Sequence, residues 1–254
     1  MRYLATITYV GTDFCGFQVQ PNVRTVQGTL TEACTALFGS PCQVQGCSRT
    51  DSGVHAVASR VLIETDETAP AIPPERLALA IAPYLPWDLS LMEAVAVSPT
   101  FHIRHDVQKK QYVYLLRNAP VRDPLSMFRM WQFPYTMPDD ALERMQKAAS
   151  LLVGVHDFAS FMAAGSPVPH TMRHLMLLEV QKEQGVYRFT LEADGFLYNM
   201  VRIIVGTLVD VAMHRLEPED MVRILEAKDR KEAGETAPPE GLYLEKVIYQ
   251  KEAL

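Results

Sequence analysis

No stretch of this sequence stays apolar for the ~20 residues that a bilayer crossing needs. The longest candidate, residues 200–213, is interrupted by Arg202 and Asp210. Cysteine is scarce too: Cys15, Cys34, Cys42 and Cys47 are the only four in 254 residues, all in the first fifth. That distribution argues against a disulfide framework. Cys42 and Cys47 have four residues between them and His55 follows, yet no second tight ligand pair completes a zinc site. The thiols read as buried and unpaired, and no metal is expected. Basic charge is in deficit, with 24 Lys+Arg against 30 Asp+Glu for a net charge of −6. This speaks against a uniformly basic nucleic-acid footprint. The opening residues 1–6 read as a strand rather than a signal peptide, so a cytoplasmic chain without membrane attachment is expected.

What is present is the composition of an ordinary globular protein, 48% hydrophobic and 21% charged. This is neither a disordered chain, a collagen-like fibre nor a coiled coil. The length suits one large domain or two modest ones. Charge is unevenly spread. Residues 61–100 hold Arg76 as their one basic side chain, whereas 101–130 carry Arg104, Lys109, Lys110, Arg117, Arg122 and Arg129 against Asp106 and Asp123. A local field can steer a polyanion whatever the net charge, although a solvated charged face would look the same.

Periodicity divides the chain into two similar halves. Residues 2–10 alternate as a half-buried strand does. Thr25 is placed to cap a helix through Val26, Leu30, Ala33, Leu37 and Phe38 that stops at Gly39. Strands are predicted near 41–47 and 57–64, a short helix from Glu75, and a strand near 89–97. In the second half a strand over 110–117 is followed by a helix starting at Pro138 and running to Leu152, with Gly154 as its stop. Strands over 172–182 and 186–193 come next, joined by a tight turn containing Gly185. Helices over 196–213 and 218–228 and a strand over 242–249 complete the order. Each half reads β-α-β-β-α-β, the split βαβ arrangement of ferredoxin-like units. The expected fold class is therefore α+β: two ferredoxin-like halves, residues 1–103 and 104–254, with mixed, mainly antiparallel sheets and a cleft between them.

The densest polar cluster is Ser48-Arg49-Thr50-Asp51-Ser52-Gly53-Val54-His55-Ala56, in a strand-to-strand turn. Asp, Ser and Gly are also what an ordinary turn uses, because their side chains bond local backbone or accept φ > 0. A hydrolase built on Asp51, Ser52 and His55 is the first functional rival, but no Gly-x-Ser-x-Gly elbow surrounds Ser52. A non-catalytic RNA-binding module is the second, and the aromatic strand pattern of such modules is missing.

The segment SRTDSGVHA closely resembles the RTD(A/S)GVHA signature of the tRNA pseudouridine synthase A family. Six further blocks resemble the family in order. They are Tyr9–Gln18, Val23–Gly28, Phe101–Arg104 with Lys110–Tyr114, His156–Phe161, Asn199–Leu208 and Ala237–Tyr243. The resemblance extends over residues 2–250. Departures are Ser48 for a usual Gly, Val10 for Asp, Phe17 for Trp and Glu235 for a common Lys, none of them a residue the chemistry needs.

The resemblance implies the pseudouridine synthase fold and an isomerisation of uridine to pseudouridine in the anticodon stem-loop of tRNA. That chemistry calls for no cofactor, and the resemblance also implies a homodimer. It makes Asp51 the nucleophile, a task that suits a carboxylate able to attack and leave again without redox change. Tyr112 matches the active-site tyrosine, able to stack on uracil and to pass a proton. Arg202, alone in an apolar helix, calls for a carboxylate partner. Asp210 and Asp194 are local choices, and the resemblance implies Asp51. Arg49 is expected at a phosphate or in the gap left by an extruded nucleotide. Arg24, Arg104, Lys109 and Lys110 are expected along the RNA backbone.

Overall fold

In the computed structural model, which describes residues 1–165 and 168–249, the chain divides into two units, Met1–Gln108 with the segment from Tyr243, and Lys109–Leu242. The division falls a few residues after the expected 103/104 boundary. Residues 250–254, expected to end the second half, lie outside the described residues.

The first unit contains β1 (Arg2–Tyr9), α1 (Val26–Phe38), β2 (Cys42–Gly46), β3 (His55–Thr65), α2 (Pro74–Ile81) and β4 (Leu89–Ala96). β1 lies between β4 and β3, antiparallel to both, and β2 pairs antiparallel with the far end of β3. β10 (Leu242–Tyr249) adds to the near end of β3 in parallel, with Tyr243 opposite His55 and Leu244 opposite Ala56. The strand expected to close the second half thus completes the first unit's sheet. The reason is local, since the Tyr243 ring stacks on His55 at 4.7 Å and Tyr249 Oη donates to Ile103 O at 2.9 Å. Register shifts in both of β1's ladders, between Thr6 and Tyr9, bend the strand as it approaches the polar turn.

α1 forms where Thr25 stands at its N-cap and accepts the Gly28 N–H, and it ends at Gly39 with φ 66°. Only glycine takes that left-handed stop without strain. Val26, Leu30, Ala33, Cys34 and Phe38 form its buried face. That spacing keeps one stripe against the sheet.

The second unit contains β5 (Val107–Asn118), β6 (Trp131–Phe133), α3 (Ala141–Ser150), β7 (Gly154–Asp157), β8 (Met172–Glu183), β9 (Val186–Ala193), α4 (Met200–Ala212) and α5 (Asp220–Ala227). The sheet order is β5-β9-β8-β7, antiparallel throughout, with short β6 parallel to the end of β5. Gln184 and Gly185 both have positive φ, as a two-residue hairpin turn matching strand twist requires. α4 is buried on nearly every side. It begins at Met200 rather than Phe196 because Asn199, at φ 58°, breaks the run before it. Among the described residues no helix is long and apolar enough to cross a membrane.

Candidate active site

The turn that carries Asp51 is fixed by the segment following β1. Phe17 N–H donates to Thr50 O at 3.0 Å and Gly53 N–H to Phe14 O at 3.4 Å. Ser52 Oγ donates to Phe14 O at 3.2 Å, and Tyr9 and Thr50 share a buried hydroxyl–hydroxyl bond at 2.8 Å. Within the turn, Val54 N–H closes onto Asp51 O at 3.2 Å. Burial pushes the Tyr9 phenol far up, so this hydroxyl stays protonated. The approach of the two backbones is close enough to demand glycine: a Cβ on Gly11 would lie 2.0 Å from Val54 O. A second layer backs the first, with Cys15 N–H bonded to Arg24 O and Gln27 N–H to Phe17 O.

His55 and Ser52, the partners of the hydrolase alternative, serve this scaffold. His55 is buried, its ring stacks on Tyr243, and its Nδ1 accepts the Gly11 N–H at 3.0 Å. An Nδ1 that accepts from backbone carries no proton. With the Ser52 hydroxyl turned to Phe14 O, neither group is arranged as a Ser–His relay.

Arg49 and Arg104 line one cleft of about 490 Å3 in the first unit, together with Arg2, Gln45, His102 and His105. Arg104 Nε donates to Gly46 O at 3.2 Å, while Arg49 is exposed at the edge of the Asp51 turn. Arg24 is differently employed. Both its terminal nitrogens fork onto the buried Asp88 carboxylate at 2.7 Å, and the guanidinium sits 4.0 Å over the Phe14 ring. Its charge is largely matched inside the fold.

Tyr112 and Arg202 belong to the second unit. Tyr112 is nearly buried on β5, with Phe196 edge-on at 5.0 Å. Two residues on and on the same face, Tyr114 donates to Pro238 O at 2.8 Å, and burial pushes its phenol well up. Arg202 Nε donates to Ala237 O at 2.7 Å and its Nη1 to Asn199 Oδ1 at 2.9 Å, while Ala237 N–H returns to Arg202 O. The Ala237–Pro238 loop can lie this close because residue 206 is glycine: a Cβ there would be 1.8 Å from Glu235 O. Lys109 pairs with Glu192 at 2.7 Å, and Lys110 lies beside it on β5. Asp194, one local choice for Arg202, instead accepts the His174 N–H, and Asp210 binds Arg215 at 3.0 Å.

Asn199, Gly11, Gly206 and Tyr114 were not singled out as individual site residues from the sequence. Each acts through a neighbour distant in the chain or through a backbone conformation, which spacing does not reveal. Among the described residues, no three of His, Cys, Asp and Glu converge as a metal cage.

The family described as tRNA pseudouridine synthase matches residues 5–106 and 148–250. Similar curated proteins carry the name tRNA pseudouridine synthase A. One from Thermoanaerobacter sp. (strain X514) is 39% identical over 246 residues, covering 97% of this chain and 98% of its own. Another from Moorella thermoacetica is 42% identical over 246 residues, covering 96% and 98%. A third from Latilactobacillus sakei is 38% identical over 252 residues, covering 98% and 99%.

Proposed function

Because the chain belongs to the tRNA pseudouridine synthase family, we propose that it isomerises uridines of the tRNA anticodon stem-loop with Asp51 as nucleophile. It does so as a cytoplasmic homodimer without a cofactor. The chemistry breaks the N1–C1′ bond and rejoins the base through C5. N1 gains a proton, C5 loses one, and no electrons are exchanged with a redox partner. The Asp51 carboxylate adds to an electron-poor carbon of the nucleoside and leaves again, so it is regenerated each turnover.

The observation that carries this reading is the immobilised turn. Bonds to residues 9–17 hold the backbone on both sides of Asp51, and a stationary nucleophile does not lose orientational freedom during attack. Tyr112 is the proposed stacking surface for uracil and the proton carrier, its ring steadied by Phe196. Arg202 is the proposed cation that keeps the nucleophile ionised, since positive charge opposes the upward drift of a desolvated carboxyl. Its bonds to Ala237 and Asn199 support that role by fixing where the charge sits. Arg49 and Arg104, which line one cleft, are the proposed leading contacts to RNA phosphate, and Lys110 is proposed as a further one. Arg24 and Lys109 contribute less, because Asp88 and Glu192 already match their charge.

The test is release of tritium from unmodified tRNA labelled at uridine C5, which loses its hydrogen only when it becomes the glycosidic carbon. Wild type is expected to release it, and Asp51→Asn to bind the tRNA with no release. Turnover by Asp51→Asn at the wild-type rate would remove Asp51 from the mechanism.

A further inference from the structure

The segment from the end of β5 to just past β6 is a built loop that keeps large apolar side chains exposed. Asp123 organises it by accepting the Leu125 N–H at 3.0 Å and the Ser126 hydroxyl at 3.1 Å. Gln132 closes it, donating to Ser126 Oγ at 3.1 Å while accepting the Asp123 N–H. Arg117 Nη1 holds Val121 O at 2.9 Å, and Asn118 Nδ2 holds Tyr135 O at 2.7 Å. On this frame Leu125 is 94% exposed, Val121 73%, Tyr135 63% and Phe128 57%. Phe128 also has φ 59°, an outlier for a bulky residue. A bulky side chain held in an unfavourable backbone state and left more than half exposed points to a function that needs it there.

We propose that this loop is a second RNA contact, a stacking ledge for unpaired bases of the substrate outside the reacting uridine. The proposal rests on the reading of the chain as a tRNA-modifying enzyme. Charge decides between RNA and a second copy of the chain as the occupant. Residues 117–135 carry Arg117, Arg122 and Arg129 against Asp123 alone, a local excess of +2 in a chain of net −6. Two such surfaces repel each other, whereas a polyanion is drawn to either. Exposed aromatic and apolar faces interleaved with arginine are what sequence-tolerant binding of unpaired bases uses. The position fits as well. The loop leaves β5 six residues beyond Tyr112, roughly 20 Å along the strand, so it meets RNA well away from the base being isomerised.

The experiment compares wild type with Phe128→Asn, Phe128→Trp and Leu125→Ser, using Val222→Ser as an exposed apolar control on α5. Asparagine tolerates the left-handed backbone, so its effect reports the ring and not the fold. Filter binding of unmodified tRNA should show Kd about fivefold to a hundredfold weaker for Phe128→Asn, with the loss carried in KM for tritium release. Phe128→Trp should restore binding. A Kd within twofold of wild type for Phe128→Asn, or a Phe128→Trp variant as weak as Phe128→Asn, overturns the proposal. A lighter species in sedimentation of Leu125→Ser also overturns it, since a second copy would then cover the loop. If wild type releases no tritium while Phe128→Asn still loses affinity, the contact stands and the uridine reading falls. If wild type turns over and Phe128→Asn binds unchanged, the reverse holds.

Discussion

Gly11→Ala should disable the enzyme while leaving it folded. The added methyl carbon would lie 2.0 Å from Val54 O, whereas such atoms come no nearer than 3.0 Å, so the two backbones must part by about 1 Å. Neither side has a rotamer with which to yield, because the obstacle is a carbonyl at the end of the Asp51 turn. Overpacking of this kind costs about 1–3 kcal/mol, and loss of the Gly11–His55 bond adds about 1 kcal/mol. At roughly 2–4 °C per kcal/mol for a chain of this size, Tm should fall by about 4–16 °C. A nucleophile displaced by about 1 Å can lose about a hundredfold in rate. Gly39→Ala is the matched control. Its φ of 66° is unfavourable for alanine by about 1–2 kcal/mol, but nothing lies within 4 Å of the new Cβ. Both variants should melt early, and at 25 °C only Gly11→Ala should lose kcat/KM for tritium release. Wild-type turnover by Gly11→Ala, or an equal loss in Gly39→Ala, would refute the argument that the segment after β1 positions Asp51, the proposed nucleophile.

Three further outcomes follow from charge. Arg49→Ala and Arg104→Ala should each reduce the slope of log K for tRNA against log salt by about 0.7–0.9. Lys109→Ala with Lys110→Ala should reduce it by about one unit rather than two, because Glu192 already pairs with Lys109; a full two-unit change would show that the pair opens on RNA. Asp157, on β7, has its carboxyl held below the usual range, chiefly by the Thr171 hydroxyl and then by Lys228. A depressed carboxyl stabilises the fold above its unfolded pKa of about 4, and that contribution disappears as pH falls through the lower folded value. The urea-midpoint difference between wild type and Thr171→Val should therefore be full at pH 7 and shrink below about pH 4. A difference that stays constant down to pH 3 would refute it.

Local rules made much of the fold legible. Alternation placed the β8–β9 hairpin within a residue of its observed ends, and Thr25 with Gly39 bracketed α1. Where a boundary depends on one backbone angle, composition is silent. The apolar run from Phe196 reads as helix throughout, but the left-handed Asn199 delays α4 to Met200. β6 and β7 have three and four residues, too few for alternation to register, and Gly154 reads as a helix stop although it opens β7. The site divides similarly. Asp51, Tyr112 and Arg202 are proposed from ordered blocks of sequence, whereas the contacts that hold Asp51 and Arg202 are non-local. Arg202 rests on a carbonyl 35 positions away, and the Asp51 turn on a glycine 40 residues earlier. For Arg24 the chemistry suggested phosphate, and only the fold reveals the buried Asp88 that takes up both ends of its fork.

The parallel pairing of β10 on β3 sets an order on synthesis. As a ribosome extends the chain, the first 108 residues emerge well before their sheet can be finished. The edge beside His55 stays open until residues 243–249 leave the exit tunnel. Connections of such long sequence separation form late and slowly. The ring that stacks on His55, next to the turn bearing Asp51, is thus translated 188 residues after the histidine it covers. A chain that stops before Tyr243 lacks this support, so translation through β10 is a condition for assembling the surroundings of Asp51.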